Sequence, residues 1–147
     1  MPKLHRRPTI LVADDEPEIL DLLRMMFEWE EYTVVETRDG EEALEQARAL
    51  KPDLILSDVR MPKMTGLEVL EQLQADPELA AIPVIMLSVV TTLPQVRTAL
   101  LNGAIAYMPK PFEMREMARL VSRVLTRDAG GREVMRQQAL RELGIEP

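Results

Sequence analysis

The sequence predicts an α/β protein: a doubly wound parallel sheet of five strands, each followed by a helix, with a further helix near the C-terminal end. Five short, apolar, β-rich runs alternate with five segments whose apolar residues recur at helical spacing. The run Leu54-Ile55-Leu56 is continuously apolar, which fits a strand buried on both faces. Strands alternating with helices of this length make βαβ units with right-handed crossovers.

The first strand is read at residues 9–13. Residues 16–28 follow as a helix with Ile19, Leu22, Leu23 and Met26 inward, and Pro17 falls near its start, where proline is tolerated. Residues 32–37 are short and β-branched. Asp39-Gly40 is a turn, and residues 40–50 read as a helix with Ala43, Leu44, Ala47 and Leu50 inward. Pro52-Asp53 breaks it, and residues 54–57 form the third strand. A loop at 61–66, punctuated by Pro62 and Gly66, leads to a helix at 67–74 with Leu67, Leu70 and Leu73 inward.

Pro77 and Pro83 bracket the next connection. Strand four is read at 82–87 and a short helix at 94–101, stopped by Asn102-Gly103. Strand five is read at 104–108 and the last helix of the unit at 114–126. Asp128-Ala129-Gly130-Gly131 interrupts the pattern. Residues 132–143 then resume as a helix with Met135, Ala139 and Leu143 on one face. The expected organisation is a domain at 8–127 and a tail or linker at 128–147.

The 147 residues suffice for one domain with a real core. No apolar run reaches membrane-spanning length, and no signal-peptide pattern follows the basic N-terminus. The absence of cysteine excludes disulfides and thiolate zinc sites. The single histidine, His5, lies near the terminus, which argues against histidine metal ligation. A net charge of −7 disfavours direct nucleic-acid binding, which calls for a basic surface.

Four apolar runs end in polar residues with complementary chemistry. Ile10-Leu11-Val12-Ala13 runs into Asp14-Asp15, and Leu54-Ile55-Leu56-Ser57 into Asp58. Val84-Ile85-Met86-Leu87 runs into Ser88, and Ala104-Ile105-Ala106-Tyr107 runs, two residues on, into Lys110. Ligands of a parallel α/β sheet bind outside the carboxyl ends of the strands, so these residues converge on one edge. Three carboxylates suit a hard, oxygen-seeking cation, while a lysine and a hydroxyl suit a phosphoryl group.

Each residue also has an ordinary reading. Asp14 and Asp15 resemble a solvated acidic helix start, as do Glu16 and Glu18. Asp58 alone reads as a loop cap, Ser88 as a strand-end serine and Lys110 as a surface lysine. The conjunction at four strand ends favours the functional reading, with Asp58 as a covalent phosphoryl acceptor.

These residues carry a close resemblance to the response-regulator receiver domains of bacterial two-component signalling. The matching segments are Ile10-Leu11-Val12-Ala13-Asp14-Asp15-Glu16, Leu54-Ile55-Leu56-Ser57-Asp58-Val59-Arg60-Met61-Pro62, Gly66, Pro83-Val84-Ile85-Met86-Leu87-Ser88, Gly103-Ala104 and Tyr107-Met108-Pro109-Lys110-Pro111-Phe112. The resemblance spans roughly residues 8–127 and implies a flavodoxin-like sheet of order 2-1-3-4-5.

It further implies that Asp58 takes a phosphoryl group from a phosphohistidine on a sensor histidine kinase or phosphotransfer protein. Asp14, Asp15, Asp58 and the Arg60 carbonyl match the Mg²⁺-binding positions. Lys110 matches the phosphoryl-pairing lysine, Ser88 the hydroxyl that swings toward the phosphoryl group, and Tyr107 the aromatic switch. The Lys110–Pro111 bond is expected to be cis. The face built from helix four, strand five and helix five is expected to carry the response to a downstream protein, an output domain or a second copy. No membrane association is implied, and a cytoplasmic location is.

Two departures stand out. Val89 is bulkier than the family's usual residue, which predicts hindered access of water and small donors to Asp58 and slow self-dephosphorylation. Arg60 occupies a position that varies and influences phosphoryl lifetime. Pro109, before Lys110, also stiffens the approach to the switch.

Other classes fit less well. Mg²⁺-dependent aspartyl phosphohydrolases of the haloacid-dehalogenase-like family place a second Asp two residues after the nucleophile, where this chain has Arg60. A nucleotide-binding α/β domain needs a glycine-rich phosphate loop that is missing. A degenerate receiver used only for contact would not need every key residue. The chain also reads as an excised receiver of a longer transcriptional or enzymatic regulator.

Overall fold

Every strand of the sheet runs the same way, so the carboxyl ends of all five open onto one edge. The computed structural model describes residues 6–145, and His5 lies outside the described residues. The elements are β1 (Thr9–Ala13), α1 (Pro17–Trp29), β2 (Thr33–Thr37), α2 (Gly40–Leu50), β3 (Leu54–Asp58), α3 (Gly66–Ala75), β4 (Val84–Ser88), α4 (Leu93–Leu101), β5 (Ala106–Pro109), α5 (Met114–Leu125) and α6 (Ala129–Glu142). The strands pair in parallel in the order β2-β1-β3-β4-β5. The order reverses between β1 and β3, which makes that gap the switch point where an α/β sheet binds ligands.

Alternate residues of each strand face opposite sides. Ile10, Val12, Leu54, Leu56, Ile85 and Leu87 pack with Leu23 and Phe27 of α1 and Met117, Val121 and Val124 of α5. Leu11, Ile55, Val84 and Met86 pack with Ala43 and Ala47 of α2, Leu70 and Leu73 of α3 and Ala99 of α4. The central strands β3 and β4 are buried along their whole length.

Local chemistry sets the helix starts. Asp39 Oδ1 accepts from the Glu42 amide at 2.8 Å and begins α2. Thr65 and Glu68 form a reciprocal capping box on α3, at 3.1 and 2.9 Å. Helix α4 ends at Asn102, and Gly103 follows at φ 113°, a left-handed conformation suited to glycine.

Several sequence expectations need correction. β4 begins at Val84 rather than at 82, because Pro83 has no N–H to give the ladder. β5 covers Ala106–Pro109 rather than 104–108, since the Ala104 amide bonds Ala99 O at 3.0 Å in closing α4. Leu50 is exposed rather than inward: it is the last residue of α2, and the chain turns at Lys51 with φ 46°.

The tail helix begins at Ala129 rather than at 132. Asp128 Oδ1 accepts from the Gly131 amide at 2.8 Å, so the apparent Gly130-Gly131 break is the helix's first turn. Its inward residues are Met135 and Leu140, with Ile145 just beyond, while Leu143 is exposed. Met135 joins the core beneath α1 and α5. Leu140 and Ile145 form a separate cluster with Leu100 and Val96 of α4. Arg136 Nη1 donates to Leu100 O at 2.6 Å, at the C-terminal end of α4, while Nε and Nη2 hold Glu133.

Candidate functional site

The ends of β1, β3, β4 and β5 bring Asp14, Asp58, Ser88 and Lys110 to one edge. Asp14 is fully buried. Its amide donates to Thr37 O at 3.1 Å, and its Oδ1 accepts from the Glu16 amide at 2.9 Å. Asp58 is 7 % exposed, and its Oδ1 accepts from the Arg60 amide at 3.3 Å. Ser57 Oγ donates to Asp58 O at 2.9 Å.

Helix α3 comes very close behind the acceptor strand. A Cβ on Gly66 would stand 2.1 Å from Asp58 O, and the Gly66 amide donates to Val59 O at 2.8 Å. Only glycine lets the helix start at this distance.

Lys110 Nζ lies at the centre of the site. It is 2.8 Å from Asp14 Oδ2, 2.8 Å from Glu16 Oε1 and 3.0 Å from Asp58 Oδ2. Burial disfavours the ammonium, but the close carboxylates of Asp14, Glu16 and Asp58 outweigh it and raise its pKa. Burial pushes the Asp14 carboxyl up, against the opposing pull of Lys110. The Lys110 amide donates to Ser88 O at 2.9 Å, and the Lys110–Pro111 bond is cis.

Carboxylate oxygens of Asp14, Glu16 and Asp58 lie within 4.8 Å of one another. Asp14 Oδ2 is buried and meets the Lys110 ion pair without a well-aligned hydrogen bond. A buried, electron-rich oxygen among carboxylates fits a hard divalent cation. Asp15 and the Arg60 side chain are exposed beside this group, and Asp15 is not among the three clustered carboxylates. Sequence reasoning passed over Glu16 as a first-turn acid. Its signal was adjacency to Asp14-Asp15, which does not reveal a partner 94 positions away.

Ser88 is buried, and its Oγ accepts from the Val90 amide at 3.0 Å. Val90 O in turn accepts from the Tyr107 hydroxyl, which also takes a 2.6 Å bond from Gln95 Nε2. Ser88, the loop after it, α4 and Tyr107 are thus linked by one hydrogen-bond chain.

Comparison with known proteins shows the family. Residues 10–122 match the response regulator receiver domain, and the chain belongs to that family. It is 42 % identical over 118 residues to the alkaline phosphatase synthesis transcriptional regulatory protein PhoP of Bacillus subtilis, covering 80 % of this chain and 48 % of that one. It is 37 % identical to the DNA-binding response regulator MtrA of Mycolicibacterium smegmatis, covering 82 % and 50 %. A hybrid signal transduction histidine kinase D of Dictyostelium discoideum is 36 % identical, with 84 % of this chain matching 8 % of that protein. The chain thus spans half or less of the length of these relatives.

Among solved structures, the receiver domain of a histidine kinase from Syntrophus aciditrophicus superposes with a TM-score of 0.76 at 34 % identity, covering 81 % of this chain and 90 % of that one. The chemotaxis response regulator CheY4 of Vibrio cholerae gives 0.77 at 28 % identity, covering 81 % and 99 %. Proteins of this family are signalling switches rather than conventional enzymes. Among the described residues, no helix is long and apolar enough to cross a membrane.

Proposed function

We propose that this chain is a phosphorylation-dependent switch whose acceptor is Asp58. The supporting observation is the placement of Asp58 Oδ2, buried at a strand end and 3.0 Å from the Lys110 ammonium. A carboxylate oxygen of Asp58 attacks the phosphorus of a phosphohistidine on a sensor kinase or phosphotransfer protein. The P–O bond forms as the P–N bond breaks, and the departing imidazole takes up a proton. Lys110 pairs with the phosphoryl oxygens as a point charge.

Asp14, Asp15, Asp58 and the Arg60 carbonyl are the proposed Mg²⁺ ligands, with Glu16 close at hand. When bound, the ion offsets charge on the transferring phosphoryl oxygens. The Ser88 hydroxyl gives up the Val90 amide to reach the phosphoryl group. Tyr107, which shares Val90, follows and carries the loop and α4 with it. The altered surface is the α4-β5-α5 face, read by a downstream protein, an output domain or a second copy. The signalling unit spans 8–127, and 128–147 is an addition to it; the setting is cytoplasmic.

Intact-protein mass after incubation with Mg²⁺ and a small phosphodonor tests this. One phosphoryl adduct in wild type, absent from Asp58→Asn and absent without Mg²⁺, is expected. An adduct that persists in Asp58→Asn overturns the assignment.

A further inference from the structure

Resting on that phosphoryl reading, we propose that Glu16 is a positioning residue for Lys110. It shares the ammonium with the two aspartates and sets how readily that ammonium is delivered to a phosphoryl group on Asp58.

An ammonium has three N–H donors. Lys110 Nζ has three carboxylate neighbours at 2.8, 2.8 and 3.0 Å and donates aligned hydrogen bonds to two of them, Glu16 and Asp58, so a phosphoryl oxygen competes with these carboxylates for the lysine. Asp14 and Asp58 are buried and tied to backbone amides. Glu16 differs. Its side chain is 57 % exposed, so water takes over when the carboxylate lets go.

The Glu16 backbone stays in place whatever the side chain does. Its carbonyl accepts from the amides of Ile19 and Leu20 at the start of α1, at 3.1 and 3.2 Å, and its amide is held by Asp14. Glu16 therefore holds the ammonium at the mouth of the site and is the partner most easily released. Its charge, still nearby after release, opposes the approach of a dianionic donor.

The test uses the full chain with Glu16→Gln and Glu16→Asp. The first readout is the side-chain ¹⁵N signal of Lys110 in metal-free protein, assigned by its loss in Lys110→Arg. In Glu16→Gln the signal shifts and its ammonium protons exchange faster with water. The second readout is the rate of Asp58 phosphorylation by acetyl phosphate, a dianion, relative to phosphoramidate monoanion. That ratio rises about three- to fivefold in Glu16→Gln, the size expected for removing one partly screened charge a few ångströms from the path. It returns toward the wild-type value in Glu16→Asp, which keeps the charge.

A Glu16→Gln protein with an unchanged Lys110 signal and an unchanged donor ratio overturns the proposal. A change in folding stability without either effect also overturns it, since that is all a merely structural side chain would give. If wild type takes no phosphoryl group while the Lys110 signal still responds to Glu16, the phosphoryl reading fails and the pairing stands.

Discussion

Lys110 Nζ and Asp14 Oδ2 are 2.8 Å apart, with side chains only 6 % and 1 % exposed. Removing the cation strands buried charge. Lys110→Met is expected to destabilise the metal-free protein by about 3 kcal/mol at pH 7, the usual cost of breaking a buried ion pair. The cost should shrink as pH falls, because the Asp14 carboxyl, raised by burial, takes up a proton more readily than an ordinary aspartate. The lysine's own contribution has the opposite dependence. Its pKa is raised on folding, so that contribution is complete below the unfolded value and fades as pH rises past the folded one. Urea unfolding of both proteins from pH 9 down into the acid range, where the lysine's contribution stays complete, checks the carboxylate side of the pattern; a pH-independent difference would contradict it.

Gly66→Ala should lower stability by about 1–3 kcal/mol, because the new methyl meets a backbone carbonyl, Asp58 O, that has little room to yield. The displaced acceptor should also take up phosphoryl groups more slowly. Equal unfolding midpoints would show that α3 shifts without resistance.

Tyr107→Ala should leave phosphorylation of Asp58 intact and uncouple the loop. Hydrogen exchange of residues 89–101 should differ less between the free and phosphorylated forms than in wild type. An undiminished difference would defeat the role given to Tyr107.

Val89 is 68 % exposed beside Ser88, so its truncation should not disturb folding. If its bulk keeps water from the acceptor, Val89→Ala shortens the phosphoryl half-life. A half-life that does not shorten counts against that steric account.

Leu140→Ala empties the small cluster between α6 and α4 and should cost about 2–4 kcal/mol if α6 unfolds with the whole. If α6 opens by itself, the loss appears as faster exchange of residues 129–145 and an unchanged global midpoint. Arg136→Ala should also loosen α6, by removing its side-chain tie to Leu100 O of α4.

The architecture was legible because each strand is a short apolar run and each helix has a stripe. The strand ends were legible for the same reason: Asp14, Asp58 and Ser88 each stop such a run. What escaped reading depends on contacts distant in sequence or on how elements close. Glu16 looked like any first-turn acid because its partner, Lys110, lies just past β5. Ala104 and Ile105 looked like strand because nothing in their composition says that Ala99 claims the first amide. Gly130-Gly131 looked like a break because glycine is a poor helix former, and the Asp128 cap had to be weighed against it.

The acceptor ends β3 and its lysine follows β5, strands that are not neighbours in the sheet; β4 and Ser88 lie between them. On the proposed reading, a phosphoryl group held by both works as a staple driven across a strand, not as a decoration on one loop. Tension applied there is shared by three strand ends at once. The sheet acts as the anvil, and the loop and α4, the parts not fastened into it, are what give.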